Sequence, residues 1–292
     1  TTEIYTLSLH DALPISSVPA MTVNKVCGSG MMAVLLGARS ILLGESDLVV
    51  AGGMENMSLA PYLLPGARAG YRLWDQKVVD GMVFDGLWDP YSDTHMGNFG
   101  DKAARELGIS RQELDEYAAE SFRRALRAQE AGLFAREIVP VRIPGKKGEF
   151  TEVAQDEGPA KVKFERIPTL KPVFGPDGTV TAANASTIND GAAALVLASA
   201  AKAKSLGLNP IARIVAWGLH SQEPSWFTTA PAPAMRKALA RAGWALADVD
   251  LFEVNEAFAV VALAAAKELA IPRERLNVRG GAISLGHPIG AS

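Results

Sequence analysis

Apolar residues recur along the chain with two spacings, and each spacing predicts one kind of element. A period of about 3.6 residues is typical of helices. It predicts helices over residues 31–43, 110–128, 199–207, 233–243 and 257–269. The sequence Ser110-Arg-Gln-Glu113 is a capping box that begins the second of these helices, and Gly132 ends it.

Short, continuous apolar runs are typical of buried strands. They predict strands over residues 21–26, 48–51, 193–198, 211–216 and 249–254. Helices separate these strands, so the order along the chain predicts two β-α-β blocks and an α/β fold class. Proline- and glycine-rich sequence between about residues 61 and 182 predicts a loop-rich insert between the two blocks.

Composition and charge narrow the range of functions. Of 292 residues, 48% are hydrophobic and 21% are charged, with a net charge of −3, which is typical of a globular protein of about two domains. The near-neutral balance argues against nucleic-acid binding, and the apolar runs are too short to cross a membrane. The lack of a targeting signal favours a cytoplasmic location. Residues 1–16 resemble translated adapter sequence, so we expect them to be foreign or disordered.

Cys27 is the only cysteine, which excludes an internal disulfide and a cysteine-cluster zinc site. It lies where a predicted strand meets a predicted helix, just before Gly28 and Gly30. A helix N-terminus favours the thiolate, so we expect the pKa of Cys27 to fall by about 1–2 units from its usual value near 8.5. The two glycines would admit a ligand carbonyl. A small buried side chain is the alternative interpretation of Cys27.

His287 and Asn255 are further candidates for a site. His287 lies in the sequence Gly286-His287-Pro288, where a tight loop brings backbone close to a ligand. A histidine base paired with a cysteine forms an activated nucleophile. Asn255 precedes a predicted helix, and its amide either caps that helix or orients a water or an acyl oxygen.

Five motifs together resemble those of the thiolase family. They are Asn24-Lys-Val-Cys-Gly-Ser-Gly-Met31, Gly52-Gly-Met-Glu-Asn-Met-Ser58, Asn184-Ala-Ser-Thr-Ile-Asn-Asp-Gly-Ala192, Asn255-Glu-Ala-Phe258, and Gly280-Gly281 with Gly286-His-Pro-Ile-Gly290. The resemblance covers residues 17–292 and implies a layered fold of two similar α/β halves with an inserted loop domain. The expected divisions are residues 17–60 with 183–209 for the first half, 61–182 for the loop domain and 210–292 for the second half.

The resemblance also implies an acyl-CoA acyltransferase and a role for each site residue. Cys27 corresponds to the nucleophile that forms a thioester, His287 to the base that takes its proton, and Asn255 to the residue that holds a water in the oxyanion site. The backbone N–H of Cys27 would line a second oxyanion site. The implied path for CoA is lined by Leu87, His95, Met96, Leu170, Ala182, Ser186, Phe227, Ala257 and Phe258. CoA thioesters are then substrates, with no metal and no bound cofactor, and the implied assembly is a homodimer or homotetramer.

Within the family, the His95-Met96 loop favours an acetyl-CoA C-acetyltransferase, which joins two acetyl-CoA molecules into acetoacetyl-CoA or runs the reverse reaction. A 3-ketoacyl-CoA thiolase of fatty-acid β-oxidation and a non-catalytic CoA-binding protein are the alternatives. A ketoacyl synthase is disfavoured, because Asn255-Glu-Ala-Phe258 stands where its first histidine is expected.

The sequence departs from the family's pattern in a few places. The family's second catalytic cysteine, in a Cys-x-Gly motif beyond the Gly-His-Pro loop, has no counterpart here. We therefore expect a fragment that lacks both ends, with incomplete sheets or exposed apolar faces and an impaired reaction. Ala160 stands where an arginine is usual, with Lys161 or Lys163 as its substitute at the CoA nucleotide, and Arg279 stands where an asparagine is usual.

Overall fold

The computed structural model of the protein describes residues 18–292. They form two compact units, each assembled from separate stretches of the chain. The first unit comprises residues 18–95, Ile188–Val215 and Pro288–Ser292, and the second comprises Met96–Thr187 and Ala216–His287. The expectation for residues 1–16 lies outside the described residues, and the division into two halves and a loop domain remains a prediction.

The α-helices and strands alternate irregularly along the chain. In chain order they are α1 (Ser29–Leu42), β1 (Leu48–Asn56), β2 (Tyr62–Leu63), β3 (Val79–Asp80), β4 (Trp88–Asp89), β5 (Thr94–His95), α2 (Gly97–Leu107), α3 (Arg111–Glu130), β6 (Val141–Pro144), β7 (Phe150–Val153), β8 (Asp190–Ala198), α4 (Ala200–Ser205), α5 (Pro231–Ala242), α6 (Ala259–Leu269) and α7 (Ala282–Leu285). Short 3₁₀ turns connect many of them, including the turn Val26–Gly28 directly before α1.

The first unit is built on an antiparallel ribbon of β1 and β8. Leu48 lies opposite Ala198 at one end of the ribbon, and Asn56 lies opposite Asp190 at the other. Helix α1 packs on one face of the ribbon. The packing is close, because a methyl group on Gly37 of α1 would lie 3.0 Å from side-chain atoms of Val49 and Leu197. Because the Val26–Gly28 turn directly precedes α1, the packing of α1 on the ribbon fixes the position of the turn.

The second unit has a continuous apolar core around α6. The side chains of α6 are buried except for Lys267 and Glu268 in its last turn, which is typical of a helix at the centre of a core. The most buried are Ala259, Val260, Ala262 and Ala265. Helix α3 packs along both α6 and α7 and buries Leu114, Tyr117 and Phe122. This core supports the loop from α7 to His287.

The predicted helices are confirmed, with their ends set by the expected signals. The Ser110 hydroxyl accepts a hydrogen bond from the Glu113 amide (3.2 Å), and the Glu113 carboxylate accepts one from the Ser110 amide (2.7 Å). Gly132 takes a left-handed conformation with φ of +66° after α3, and the Ser199 hydroxyl caps α4. Two starts differ, since α5 begins at Pro231 and α6 at Ala259.

Two of the predicted strands, 48–51 and 193–198, are confirmed within β1 and β8, but the expectation that they are buried is wrong. Val50 is 72% exposed and Val196 is 64% exposed, and these two residues lie opposite each other on the face of the ribbon away from α1. Among the residues that the structure describes, each sheet has two strands, and each pair is antiparallel. The expected β-α-β blocks are therefore not formed.

The other three predicted strands, 21–26, 211–216 and 249–254, are wrong, and two of them have a local cause. The Asn24 carboxamide accepts a hydrogen bond from the Val26 amide (3.0 Å), so a side chain bonds the backbone that a neighbouring strand would pair. In the segment 249–254, the Asn277 side chain bonds both the N–H and the C=O of Val254 (2.8 Å each). Only a single bridge, between Phe252 and Leu276, remains there.

Candidate active site

Cys27 lies in the middle of the 3₁₀ turn that precedes α1. The Ser29 side chain holds this turn through two hydrogen bonds. The Lys25 amide donates to Ser29 Oγ (2.8 Å), and Ser29 Oγ donates to the Val26 carbonyl (2.7 Å). Val26 has a positive φ of +47°, which is strained for a β-branched residue. The sequence therefore places the thiol at a sharp, fixed corner at the start of a helix, as predicted.

The expectation that the helix N-terminus lowers the pKa of Cys27 is wrong in direction. The pKa of the thiol is raised to about 11; burial is the main cause and the nearby Glu55 carboxylate adds to it, whereas a backbone hydrogen bond to Cys27 acts in the opposite direction. Desolvation of the thiolate outweighs the stabilisation available from the turn. Near neutral pH the side chain is therefore a thiol, and it needs a base to become a nucleophile.

Gly30 makes room for the protein's own backbone and not for a ligand. A methyl group at Gly30 would overlap the Ala291 carbonyl, and one at Gly53 would overlap the Gly290 carbonyl. The segment after His287 thus runs against both α1 and β1. It is held there by hydrogen bonds from the Gly290 amide to Glu55 Oε2 (3.1 Å) and from the Met31 amide to the Ser292 carbonyl (3.1 Å).

His287 and Asn255 lie together in the second unit. Asn255 Nδ2 is 3.2 Å from His287 Nε2. The imidazole is 5% exposed, and burial lowers its pKa from the usual value, so the ring is neutral near pH 7. Its Nδ1 atom is buried without a hydrogen-bond partner among the described residues. With Asn255 Nδ2 as the donor, Nε2 is the acceptor and the proton of the neutral ring is on Nδ1, so Nε2 is the nitrogen that can take up a further proton.

The interpretation of Asn255 as a helix cap is wrong. Helix α6 begins four residues later, with Phe258 as its N-cap residue and no side-chain hydrogen bond to the first turn. Asn255 is exposed, and its contact is with His287. The structure therefore leaves its amide available for a role in a site.

Sequence reasoning missed the neighbour of Asn255. Glu256 is fully buried, and its carboxylate accepts a hydrogen bond from the amide of Ile283 (3.1 Å), in the helix that leads to His287. Its position beside Asn255 in the Asn-Glu-Ala-Phe motif could have marked Glu256 as a candidate. The sequence alone, however, does not distinguish a glutamate that caps a helix at the surface from one whose carboxylate is buried.

Most residues of the expected CoA path lie in the second unit, and several are in contact. The Ser186 amide donates to the Ala257 carbonyl (3.0 Å), and the rings of Phe227 and Phe258 are 6.4 Å apart. Phe258 is buried, while Phe227, Met96 and Ala257 are partly buried and pack against the core. Leu170 packs near Ile167 in a smaller cluster, and Ala182 is exposed.

Leu87 and His95 belong to the first unit. His95 lies in β5, opposite Trp88 of β4, and Leu87 directly precedes β4. Burial lowers the pKa of His95. The β4–β5 pair therefore brings these two candidate residues to the same end of one small hairpin.

The residues that differ from the thiolase pattern, or substitute for its usual arginine, have identifiable contacts in the structure. Lys161 forms an ion pair with Glu157 at 2.5 Å, on an exposed turn, and Lys163 lies in the next turn of chain. The Arg279 guanidinium donates to the Leu133 carbonyl at 3.5 Å.

Residues 18–292 contain neither a membrane-spanning helix nor a cluster of metal ligands. No helix in this range has the length and apolarity needed to cross a membrane. Within the same range, no group of three or more histidine, cysteine, aspartate or glutamate side chains is arranged to hold a metal ion.

Comparison with known proteins gives two family matches that together span most of the chain. The model of the thiolase N-terminal domain matches residues 6–201, and that of the thiolase C-terminal domain matches residues 208–292. The first match begins inside the segment that was expected to be foreign.

Curated relatives match over nearly the whole chain. An acetyl-CoA acetyltransferase of Pseudomonas aeruginosa is 51% identical over 98% of this chain and 72% of its own length. An acetyl-CoA acetyltransferase of Cupriavidus necator is 51% identical over 94% of this chain and 70% of its own length. A probable acetyl-CoA acyltransferase of Staphylococcus aureus is 50% identical over 98% of this chain and 72% of its own length.

Proposed function

This chain belongs to the thiolase family and is an acyl-CoA acyltransferase, and from this premise we propose that it works through an acyl-enzyme on Cys27. The observation that carries the proposal is that Cys27 and His287 have complementary protonation states near neutral pH. Cys27 is a thiol near neutral pH because its pKa is raised to about 11, and His287 is a neutral base because burial lowers its pKa.

In the proposed first step, the imidazole of His287 takes the proton of the Cys27 thiol while the sulfur attacks the thioester carbonyl. The bond between the carbonyl carbon and the CoA sulfur then breaks, and the leaving CoA thiolate takes the proton back from the imidazolium. The products are an acyl group on Cys27 and free CoA. Asn255, 3.2 Å from His287, holds the imidazole and contributes to the oxyanion site through its amide or a water.

The substrate is proposed to be acetyl-CoA, with acetoacetyl-CoA as the product of condensation or the substrate of cleavage. The identity of about half the residues with acetyl-CoA acetyltransferases and the His95-Met96 loop support this choice. A 3-ketoacyl-CoA thiolase is the second candidate, because a relative of similar identity carries the broader name of acyltransferase. Kinetics with acetoacetyl-CoA against a longer 3-ketoacyl-CoA separate the two.

The second half of the reaction needs a base that removes a proton from the methyl group of another acetyl-CoA. The thiolase pattern assigns this task to a second cysteine, and the 292 residues hold one cysteine. We therefore propose that this sequence forms the acyl-enzyme but is impaired in carbon–carbon bond formation. A protein that binds CoA without catalysing either step is the alternative.

The test is to mix the purified chain with acetyl-CoA and follow acetylation by mass spectrometry and release of CoA by a thiol reagent. We expect one acetyl group on Cys27, none in a Cys27→Ser variant, and a rate at least about 100-fold lower in a His287→Gln variant. Acetylation of the Cys27→Ser variant at the same rate would overturn the proposal. Acetoacetyl-CoA synthesis at a rate typical of enzymes would contradict the expected impairment.

Two further statements rest on the family resemblance. A homodimer or homotetramer is proposed as the working assembly, and its mass is measurable by light scattering. A cytoplasmic location is also a proposal, and cell fractionation tests it.

A further inference from the structure

The chemistry above gives no role to Glu256, although its side chain is 0% exposed. A buried carboxylate is unfavourable unless donors satisfy its oxygens. Here four donors do so: Oε1 accepts from Tyr117 Oη (2.7 Å) and Asn277 Nδ2 (2.9 Å), and Oε2 accepts from Ser121 Oγ (2.8 Å) and the Ile283 amide (3.1 Å). We call these five residues the Glu256 cluster.

The cluster joins three separate segments of the second unit. Tyr117 and Ser121 lie on α3, and Ile283 lies on α7, four residues before His287. Asn277 bonds the backbone N–H and C=O of Val254 through its own side chain (2.8 Å each). The segment of Asn255 and the loop of His287 are thus both fastened to α3.

The approach of the loop to the carboxylate is close. A methyl group on Gly281 would lie 2.5 Å from the Glu256 carboxyl carbon. The Gly281 amide donates to Ser121 Oγ (3.2 Å), and Ser284 Oγ is 3.0 Å from the same atom. The start of the His287 loop therefore has little freedom to move away from Glu256.

Asn255 and Glu256 are consecutive residues, and Asn255 contacts His287 at 3.2 Å. A shift of the Glu256 carboxylate would move both members of that contact, one through the backbone and one through Ile283. We propose that Glu256 is a positioning residue, which fixes the Asn255 amide against the His287 imidazole by tying the two segments to α3. The meaning of that pair for acyl transfer rests on the proposed function, whereas the positioning is a property of the second unit.

The four donors require a carboxylate and not a carboxamide. A glutamine at this position presents an NH₂ group to two of them. The hydroxyl groups of Tyr117 and Ser121 can turn and accept, but Asn277 Nδ2 and the Ile283 amide cannot. Each orientation of the glutamine therefore leaves one buried donor without an acceptor, and the loop or the Asn255 segment has to move.

The experiment uses the full chain and two variants of Glu256 that differ in side-chain charge. Glu256→Gln removes the negative charge and keeps the length, whereas Glu256→Asp keeps the charge and withdraws it from its donors. The control is Glu120→Gln. Glu120 lies on α3, as Tyr117 and Ser121 do, but its carboxylate accepts from Arg124 and Arg127 (3.0 Å each) and not from the donors of the Glu256 cluster. If a Glu256 variant does not fold, Tyr117→Phe removes one donor and leaves the carboxylate.

The first readout is independent of activity. The His287 ring is followed by NMR of isotope-labelled histidine as a function of pH, with its signals assigned through the His287→Gln variant. Burial holds the pKa of His287 below its usual value, so a displaced, better hydrated ring titrates at higher pH. We expect an upward shift in both Glu256 variants and none in Glu120→Gln.

The second readout is the rate of Cys27 acetylation. A small misplacement of a catalytic group has a cost of up to about 100-fold in rate. We therefore expect the maximal rate constant of acetylation to fall about 10- to 100-fold, while the acetyl-CoA concentration that gives half of that rate changes less than about threefold. Tyr117→Phe should show a smaller effect in the same direction.

The outcomes separate the alternatives. An effect of charge alone would appear in Glu256→Gln and not in Glu256→Asp, and it would overturn the proposal. Lower thermal stability in both variants, with the His287 titration and the acetylation rate constant unchanged, would also overturn it, because Glu256 would then be a structural residue only. If the unaltered chain does not acetylate Cys27, the proposed function fails, and the NMR titration still decides the positioning role.

Discussion

Cys27 is the residue at which two influences on a pKa oppose each other. The turn before α1 supplies backbone donors that favour the thiolate, while burial and the Glu55 carboxylate favour the thiol and prevail. Oxidation and alkylation need the thiolate, so a cysteine that stays a thiol is protected from both reactions. Under the proposed function, activation of this thiol then depends on the His287 imidazole.

This balance predicts the pH dependence of alkylation. The thiolate fraction rises as the pH rises toward the pKa of about 11, so the rate of Cys27 alkylation by iodoacetamide should increase about tenfold per pH unit to at least pH ~9.5. The measurement uses the His287→Gln variant, so that the base does not contribute.

A peptide of residues 24–31 is the matched control for that measurement. Its cysteine is hydrated, so its alkylation rate should level off above pH ~8.5. A plateau below pH ~8 in the folded protein would show that the turn and not burial sets the pKa.

The sequence singles out Cys27, His287 and Asn255 as candidates, because each lies in a short, distinctive motif. The surroundings of each residue were less predictable. The direction of the pKa shift of Cys27 depends on burial, and the role of Gly30 depends on Ala291, about 260 residues away along the chain. Such contacts are made by folding and have no local signature.

At the scale of elements, all five predicted helices form, but only two of the five predicted strands do. A helix satisfies its hydrogen bonds within its own sequence, so the signals at Ser110, Gly132 and Ser199 were sufficient. A strand needs a second strand to pair its backbone N–H and C=O groups, and an apolar run in the sequence does not show whether such a strand lies beside it. In the segment 249–254 the partner is largely the side chain of Asn277, which bonds Val254.

The capping box of α3 gives a prediction at this scale. Ser110→Ala removes the acceptor of the Glu113 amide (3.2 Å), and we expect a loss of about 1 kcal/mol in the free energy of unfolding. Urea denaturation followed by circular dichroism measures it.

The control for Ser110→Ala is Gln112→Ala in the same helical turn. Gln112 is exposed, and its side chain bonds Glu116 on the surface (2.8 Å), so this variant should differ from the parent chain by less than about 0.5 kcal/mol. Equal effects of the two substitutions would mean that the cap does not contribute to stability.

At the scale of the molecule, the first unit leaves one face of its central ribbon uncovered. Leu48, Val50 and Met54 of β1 and Val196 of β8 project from the face opposite α1, and each is at least 45% exposed. Apolar patches of this kind on a surface favour association. The ribbon also has two open edges, because β1 and β8 pair only with each other among residues 18–292.

We therefore predict that this face governs self-association in solution. Val50 and Val196 lie directly opposite each other, so the double variant Val50→Lys and Val196→Glu places an ion pair where two valines met and keeps the ribbon. Sedimentation velocity should show less association at a given concentration, and binding of a hydrophobic dye should fall. The free energy of unfolding should change by less than about 0.5 kcal/mol, because both side chains are exposed.

The neighbouring pair on the other face is the control for this variant. Val49 and Leu197 are also opposite each other, but they pack against Gly37 of α1. Val49→Lys with Leu197→Glu buries charge, and we expect it to lower the free energy of unfolding by at least about 2 kcal/mol. If the Val50 and Val196 variant loses as much stability as this control, the outer face is covered in solution. The exposed valines of the ribbon would then be part of a core that another surface completes.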